Sequence, residues 1–509
     1  MEVPLTVASA PLTLSAALAF AVLAAVAAYL FWLNRTMLQQ PPSALDLSPK
    51  RYTPESVRAA ADEFARNPPD VTPFLPPSTG NRYIVLGGAG FLGGWIVIQL
   101  LQRGEDPRRI RVLDIQPPTR LDLLDAQRKG VEFLLVDVAD ANAVINAFLR
   151  PWRAGDAAPL TVFHTASNIR FFERHELQLP ASERVNVHGT KHVLDAAHEA
   201  GASVLVYTSS GSICIKPSRF WLWPWEKQPE NFVHLVNDNT NVPQTHAGAW
   251  SNYAATKIRA ERIVREADLS TGRGGVVLRT SCLRPGNGVF GPGGDVLCGA
   301  FLVRKTNPSW ILDSIQSFCY VENMALAHLQ LEASLLEKPE LAGGDAFCIT
   351  DPNPPITYGD VGTLENVLTD GVTTFPRFPP VLMLLIAHAV ELYVHARLHS
   401  PVLARMLPPV TGDIVNLQPS LFSLTSAHLI FDDSRARRVF GYRPAFTTIQ
   451  GLCKLVDEFK KSGGRAEFRQ MLPGGGGVSF GLAAAQRGVA KAAREMGAID
   501  TPGTPGTPC

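Results

Sequence analysis

From Ala8 to Leu33 the chain carries no charged residue. A run of that length suffices to cross a hydrocarbon core of about 30 Å. It exceeds the apolar part of a cleaved leader, and Glu2 rather than a basic cluster precedes it, so residues 1–35 read as a transmembrane anchor. Arg35, Lys50 and Arg51 follow the run and put the remainder of the chain on the cytosolic side. Proline pairs at Pro41-Pro42, Pro68-Pro69 and Pro76-Pro77 interrupt residues 36–80, which read as a linker. One helix is expected inside it from Thr53-Pro54-Glu55, a hydroxyl cap followed by proline in the first turn.

Beyond residue 80 short apolar runs alternate with helical stretches. Tyr83–Leu86, Ile110–Asp114, Val131–Val136, Leu160–His164 and Ser203–Tyr207 predict five strands. The helices between them, among them Trp95–Leu101 and Val187–Ala200, imply right-handed crossovers. The expected fold class is therefore α/β, a Rossmann-type doubly wound parallel sheet over residues 81–282. A further apolar segment, Phe378 to Val394, is short for a span and carries His388 and Glu391. It reads as an interfacial or substrate-lining helix, with a plain core helix as the alternative. Residues 464–509 read as a flexible tail, with four glycines at Gly474–Gly477 and a small basic amphipathic helix over Ala483–Met496.

The first strand ends in glycines. Gly88, Gly90 and Gly93 fit G-x-G-x-x-G, and Gly87, Gly90 and Gly93 fit a looser spacing of the same kind. Strand, glycine turn and helix in that order suit a dinucleotide pyrophosphate, which lies against backbone amides at a helix N-terminus. The second strand ends in Asp114 about twenty residues on, where an acid binds the ribose of NAD and repels the extra phosphate of NADP. NAD is the expected cofactor. Charge is balanced at 47 basic and 46 acidic residues, which leaves no basic excess for a nucleic-acid partner. The seven cysteines are scattered, without metal-ligand spacing, so no metal is expected and the thiols read as reduced.

Polar residues gather where the strands end. Thr208-Ser209-Ser210 follows the fifth strand, and Tyr253-Ala254-Ala255-Thr256-Lys257 opens a later helix. A tyrosine and a lysine four apart share one helical face. The ammonium is expected to favour the phenolate and draw the tyrosine down from its free pKa of about 10. Tyr253 then acts as proton acceptor for an alcohol, Lys257 holds the nicotinamide ribose, and Ser210 holds the substrate oxygen.

These segments resemble the extended short-chain dehydrogenases/reductases, and within them the 3β-hydroxysteroid dehydrogenase/isomerase and sterol-4α-carboxylate 3-dehydrogenase group. The matching stretches include GGAGFLG at 87–93, VNVHGTKHVLDAA at 185–197, VYTSSGSI at 206–213 and YAATKIRAE at 253–261. LRPGNGVFGPG at 283–293, FCYVENMALAH at 318–328, GDAFCITD at 344–351 and FDDSRARRVFGYRP at 431–444 extend the likeness over most of residues 81–455. The resemblance implies a catalytic set of Tyr253, Lys257 and Ser210. It also implies cofactor contacts at Phe91 and Leu92 of the glycine loop, at Asp137, Val138 and Ala166, and at Asn186 and Pro285. Residues 283–463 become a substrate-binding region. The expected activity is oxidation of a steroid or sterol 3β-hydroxyl, with or without decarboxylation at carbon 4, on the cytosolic face of the endoplasmic reticulum membrane. A homodimer or a sterol-pathway enzyme complex is the expected assembly. A dehydrogenase/isomerase, a nucleotide-sugar epimerase and an anchored NAD-binding scaffold are the alternatives. The chain departs from the group between Cys214 and Trp250, in a longer loop containing Arg219-Phe220-Trp221-Leu222-Trp223-Pro224-Trp225. That loop suits a membrane boundary, a lid over an apolar substrate, or a locally packed surface.

Overall fold

The computed structural model describes residues 10–463 apart from 154 and 156; the tail, with the helix expected over Ala483–Met496, lies outside the described residues. Seven strands, Arg82–Leu86, Ile110–Asp114, Glu132–Leu135, Leu160–His164, Ala202–Thr208, Arg279–Pro285 and Ala346–Ile349, form the main sheet. Their order across the sheet is seventh, sixth, fifth, fourth, first, second, third. Every pairing is parallel. The inner strands are apolar on both faces because helices cover both. Helices Phe91–Gln102 and Val321–Glu337 contribute Val97, Leu100, Met324 and Leu326 to one core. Helices Ala141–Leu149, Thr190–Glu199 and Asn252–Glu266 contribute Val144, Val193, Leu194 and Val264 to the other. The order reverses between the first and fourth strands, and at such a switch point the carboxyl ends of the strands part to make a crevice.

The two regions expected to divide at residue 283 exchange strands. A four-stranded sheet runs Ile356–Thr357, Ile315–Gln316, His428–Phe431, Val233–Val236, so the long loop after Cys214 supplies its edge. In return Ala346–Ile349 completes the main sheet beside Arg279–Pro285. The proline-rich segment is laid along the body rather than spanning free space. Thr53 caps the helix Pro54–Arg66 as its sequence predicts, accepting from the Ser56 amide. Gln40 Nε2 donates to Asp313 O at 2.8 Å, Ser48 Oγ to Pro355 O at 2.6 Å, and the Tyr52 amide to Asp360 Oδ1 at 2.9 Å. Prolines stiffen the chain without preventing such contacts, because their carbonyls and the intervening amides remain available.

The N-terminal helix, Ala10–Met37, has 28 residues and so a length of about 42 Å. It and Pro380–His399 are, among the described residues, the helices long and apolar enough to cross a membrane by length and composition. The first projects its outer turns, with Leu14, Leu18, Phe20, Leu23 and Phe31 exposed. Its last turns are buried: Leu33 and Met37 pack with Phe220, Leu222, Val381, Leu384 and Ala387. Tyr29 Oη donates to Leu222 O at 2.9 Å, and Trp221 Nε1 donates to His388 Nε2 at 2.8 Å. The tryptophan-rich loop is thus divided. Phe220 and Leu222 are core, while Trp223 and Trp225 stand 60% and 74% exposed, stacked with ring centroids 5.2 Å apart.

Candidate active site

The glycine loop occupies the crevice. Gly87 has φ of +78°, a conformation that a Cβ disfavours, and a Cβ there would lie 2.7 Å from Thr165 Oγ1 and 2.9 Å from the Ala166 amide. At Gly93 a Cβ would sit 2.3 Å from Gly87 O, so only glycine lets the helix Phe91–Gln102 start this close to the turn. Gly90 is the residue that caps that helix, and Gly88 lies against Val112. The loop therefore keeps its first turn bare of side chains next to a helix N-terminus, a cradle that fits a pyrophosphate. Phe91 and Leu92 form the first turn of that helix, and Ala166, two residues past the fourth strand, lies against Gly87.

Asp114 closes the second strand beside this cradle. Its Oδ2 accepts from the Ala89 amide and its Oδ1 from the Gln116 amide, each at 3.1 Å. Burial lifts its carboxyl above the ordinary aspartate value, and the surrounding amides pull the other way. The loop and the acid are thereby locked to each other, in the position that suits a ribose diol. Asp114→Ala is expected to weaken NAD binding by about ten- to a hundredfold, the cost of a hydrogen bond to a charged group. Titration of wild type and variant with both oxidised cofactors checks this, and tighter binding of NADP by the wild type would defeat the assignment.

Ser251 caps the next helix, accepting from the Ala254 amide at 3.1 Å, and so starts Asn252–Glu266 with Tyr253 in its first turn. The loop before it is clamped: the Asn252 amide donates to Glu173 O at 2.7 Å and Asn252 Nδ2 to His175 O at 2.9 Å. Tyr253, Lys257 and Ser210 are brought together. Burial pushes the Tyr253 phenol up to about 12, partly offset by its hydrogen bond with Ser210. Ser210 Oγ is also 2.8 Å from Ser212 Oγ. Burial pulls the Lys257 amine down to about 7, against the charges of Cys282 and Glu261. The expected lowering of the tyrosine by the lysine is not seen. Lys257 Nζ is turned to Tyr207 Oη at 3.0 Å and Thr208 O at 2.7 Å, and burial dominates the phenol.

The remaining predicted residues sit at the ends of the third and sixth strands and on the helical turn Arg184–Gly189. Asp137 accepts from the Ala139 amide at 2.9 Å and from Arg184 at 3.3 Å, while Val138 is buried against Gly189. Asn186 sits in a π-helical turn, Arg184–Gly189, and its amide is fully engaged. Its Nδ2 donates to Asn168 O and Thr256 Oγ1, each at 3.0 Å, and its Oδ1 accepts from Ser167 and the Asn168 amide. That exhausts the two donors and two acceptor sites of an asparagine, so Asn186 shapes the crevice wall by tying three segments together. Pro285 ends the sixth strand, with its carbonyl beside Gly211. Tyr207 and Glu261 escaped the sequence reading, the first because it looks like one more apolar strand residue.

A parallel doubly wound sheet with a bare glycine loop at its switch point and an acid ending the second strand defines a dinucleotide-dependent dehydrogenase, and the residues present fit NAD. The chain belongs to the 3-beta hydroxysteroid dehydrogenase/isomerase family, whose sequence model matches residues 84–365. It is 28% identical over 395 residues to 3beta-hydroxysteroid-dehydrogenase/decarboxylase isoform 2 of Arabidopsis thaliana, covering 74% of this chain and 61% of that longer protein. It is 28% identical over 380 residues to mouse 3 beta-hydroxysteroid dehydrogenase type 7, covering 72% of this chain and 92% of the relative. Mouse sterol-4-alpha-carboxylate 3-dehydrogenase, decarboxylating, is 27% identical over 391 residues, 75% of this chain and 92% of its own. Among solved structures, a UDP-glucose-4-epimerase of Stenotrophomonas maltophila with bound NAD shares the fold, with a TM-score of 0.51 at 15% identity over 76% of this chain and 99% of that one.

Proposed function

We propose that this is a membrane-anchored enzyme that uses NAD to oxidise the 3β-hydroxyl of a 4α-carboxysterol, with loss of the carboxyl group. The observation that carries the reading is the convergence of Ser210, Tyr253 and Lys257 at the carboxyl end of the fifth strand, beside the glycine loop. NAD, when bound, accepts the carbinol hydrogen as hydride. Ser210 holds the substrate hydroxyl, and Tyr253 takes its proton as the carbon–oxygen double bond forms. The product is a β-keto acid. Its bond to the carboxyl carbon breaks, carbon dioxide leaves, and the electron pair moves onto the ketone oxygen as an enolate. The hydroxyls of Ser210 and Tyr253 stabilise that oxyanion, and the enolate then takes a proton at carbon 4.

Support for a sterol comes from the family and from the decarboxylating relatives. Support for a membrane comes from the projecting apolar helix Ala10–Met37 and from the exposed Trp223–Trp225 stack, in the loop whose Phe220 and Leu222 pack with the base of that helix. Arg35 at its end favours a cytosolic catalytic body, consistent with the endoplasmic reticulum. The full chain in vesicles, given NAD and a 4α-carboxysterol, should form NADH and carbon dioxide in equal amounts and a 3-ketosterol lighter by the carboxyl group. A ketone that retains its carboxyl group would remove the decarboxylation, and no NADH from any 3β-hydroxysteroid or sterol would remove the reading altogether.

A further inference from the structure

Lys257 is held from behind by buried hydrogen bonds that no step of the reaction above requires. An ammonium has three donors. Two are spent inside the protein, on Tyr207 Oη at 3.0 Å and on Thr208 O at 2.7 Å. Tyr207 is fully buried on the fifth strand, with its ring centroid 5.2 Å from that of His164. Thr190 Oγ1 lies 2.8 Å from Asn186 O and 3.0 Å from His164 Nε2.

The direction of each bond follows from counting hydrogens. A carbonyl only accepts, so the single Thr190 hydrogen goes to Asn186 O. Thr190 must then accept from His164. His164 accordingly carries its proton on Nε2, and its buried Nδ1 has no hydrogen-bond partner. An ammonium has no lone pair, so Tyr207 can only accept from Lys257. The phenol is thus oriented as an acceptor, and the third N–H of Lys257 is left for the crevice. His164 stays neutral, since burial first and Lys257 second pull its imidazole down to about 3.

We propose that Tyr207 is a positioning residue for the dehydrogenase reaction, accepting from Lys257 and so aiming the remaining N–H at the cofactor and Tyr253. The proposal rests on the roles given above to Tyr253 and Lys257. It accounts for a lysine that is almost wholly buried yet must be charged to act. The other ionisable groups facing Lys257 are Cys282 from the sixth strand and Glu261 from its own helix. Glu261 is already bound to Arg284 and Ser209, which leaves Tyr207 and Thr208 as the direct acceptors of its protons.

The test compares wild type with Tyr207→Phe in the full chain, first by NAD affinity across pH, which needs no turnover. Losing an acceptor disfavours the ammonium. The pH midpoint at which NAD affinity falls should therefore move down by about one unit in Tyr207→Phe, the equivalent of one hydrogen bond to a charged group. With a 3β-hydroxysteroid as substrate, kcat should fall by about ten- to a hundredfold in Tyr207→Phe. A midpoint unmoved in Tyr207→Phe overturns the proposal. Shifted midpoints in a protein that oxidises no steroid would uphold it and overturn the substrate reading instead.

Discussion

Tyr253→Phe should bind NAD and lose nearly all turnover. The substitution deletes one oxygen from a ring that is otherwise packed with Phe171, Trp250 and Ile258, so folding should be little affected. What disappears is the proton acceptor, and a positioned acid or base contributes about 10²–10⁴-fold. The pH dependence sharpens the expectation. Burial holds the phenol at about 12, so it is protonated at neutral pH. The charge of Lys257 must be brought to bear when the site is loaded. Wild-type oxidation should then rise with pH along an arm lying below the free tyrosine value of about 10, and the variant should lack that arm. Steady-state rates from about pH 6 to 10 with NADH as readout decide it. A variant that turns over near the wild-type rate, or keeps the same arm, leaves the glycine loop meaningful and the assignment of Tyr253 wrong.

Much of this site is legible in the sequence because it follows from local rules. The turn from Tyr83–Leu86 into glycines has one common physical use, and helical spacing alone puts Tyr253 and Lys257 on one face. Thr53 caps its helix because a hydroxyl before proline does so in any context. Illegible features depend on distant partners. The helix Val321–Glu337 is buried almost all round, so it has no polar face and no helical period to read. The strands Ile315–Gln316 and Ile356–Thr357 are two residues long, below the length at which alternation can be detected. Tyr207 stands in an apolar run, and nothing local says that its hydroxyl meets Lys257, fifty positions on. The same limit explains the tyrosine: its neighbour by spacing is Lys257, but burial set by the whole fold governs its proton.

Arg284→Met should destabilise the protein more than any surface change. Arg284 and Glu261 form an ion pair with both side chains at least 95% buried (3% and 4% exposed). Arg284 Nε donates to Glu261 Oε2 at 2.9 Å, and that same oxygen accepts from Ser209 Oγ at 2.6 Å. The pair therefore ties the sixth strand and the end of the fifth to the helix that carries Tyr253 and Lys257. Methionine matches the stem of arginine in length but leaves a carboxylate buried without its counter-ion. Breaking a buried pair in this way costs about 3–5 kcal/mol, whereas replacing both partners by apolar residues is often close to neutral. Arg284→Met alone should thus lower the unfolding midpoint steeply, and adding Glu261→Leu should recover much of the loss. Ser209 would then lack an acceptor, so recovery should be incomplete. Thermal unfolding of the detergent-solubilised full chain, carried through the four corners of this cycle, measures the coupling. If the double variant loses the sum of the two single losses, the charges act independently, and the pair is not what holds the catalytic helix to the sheet.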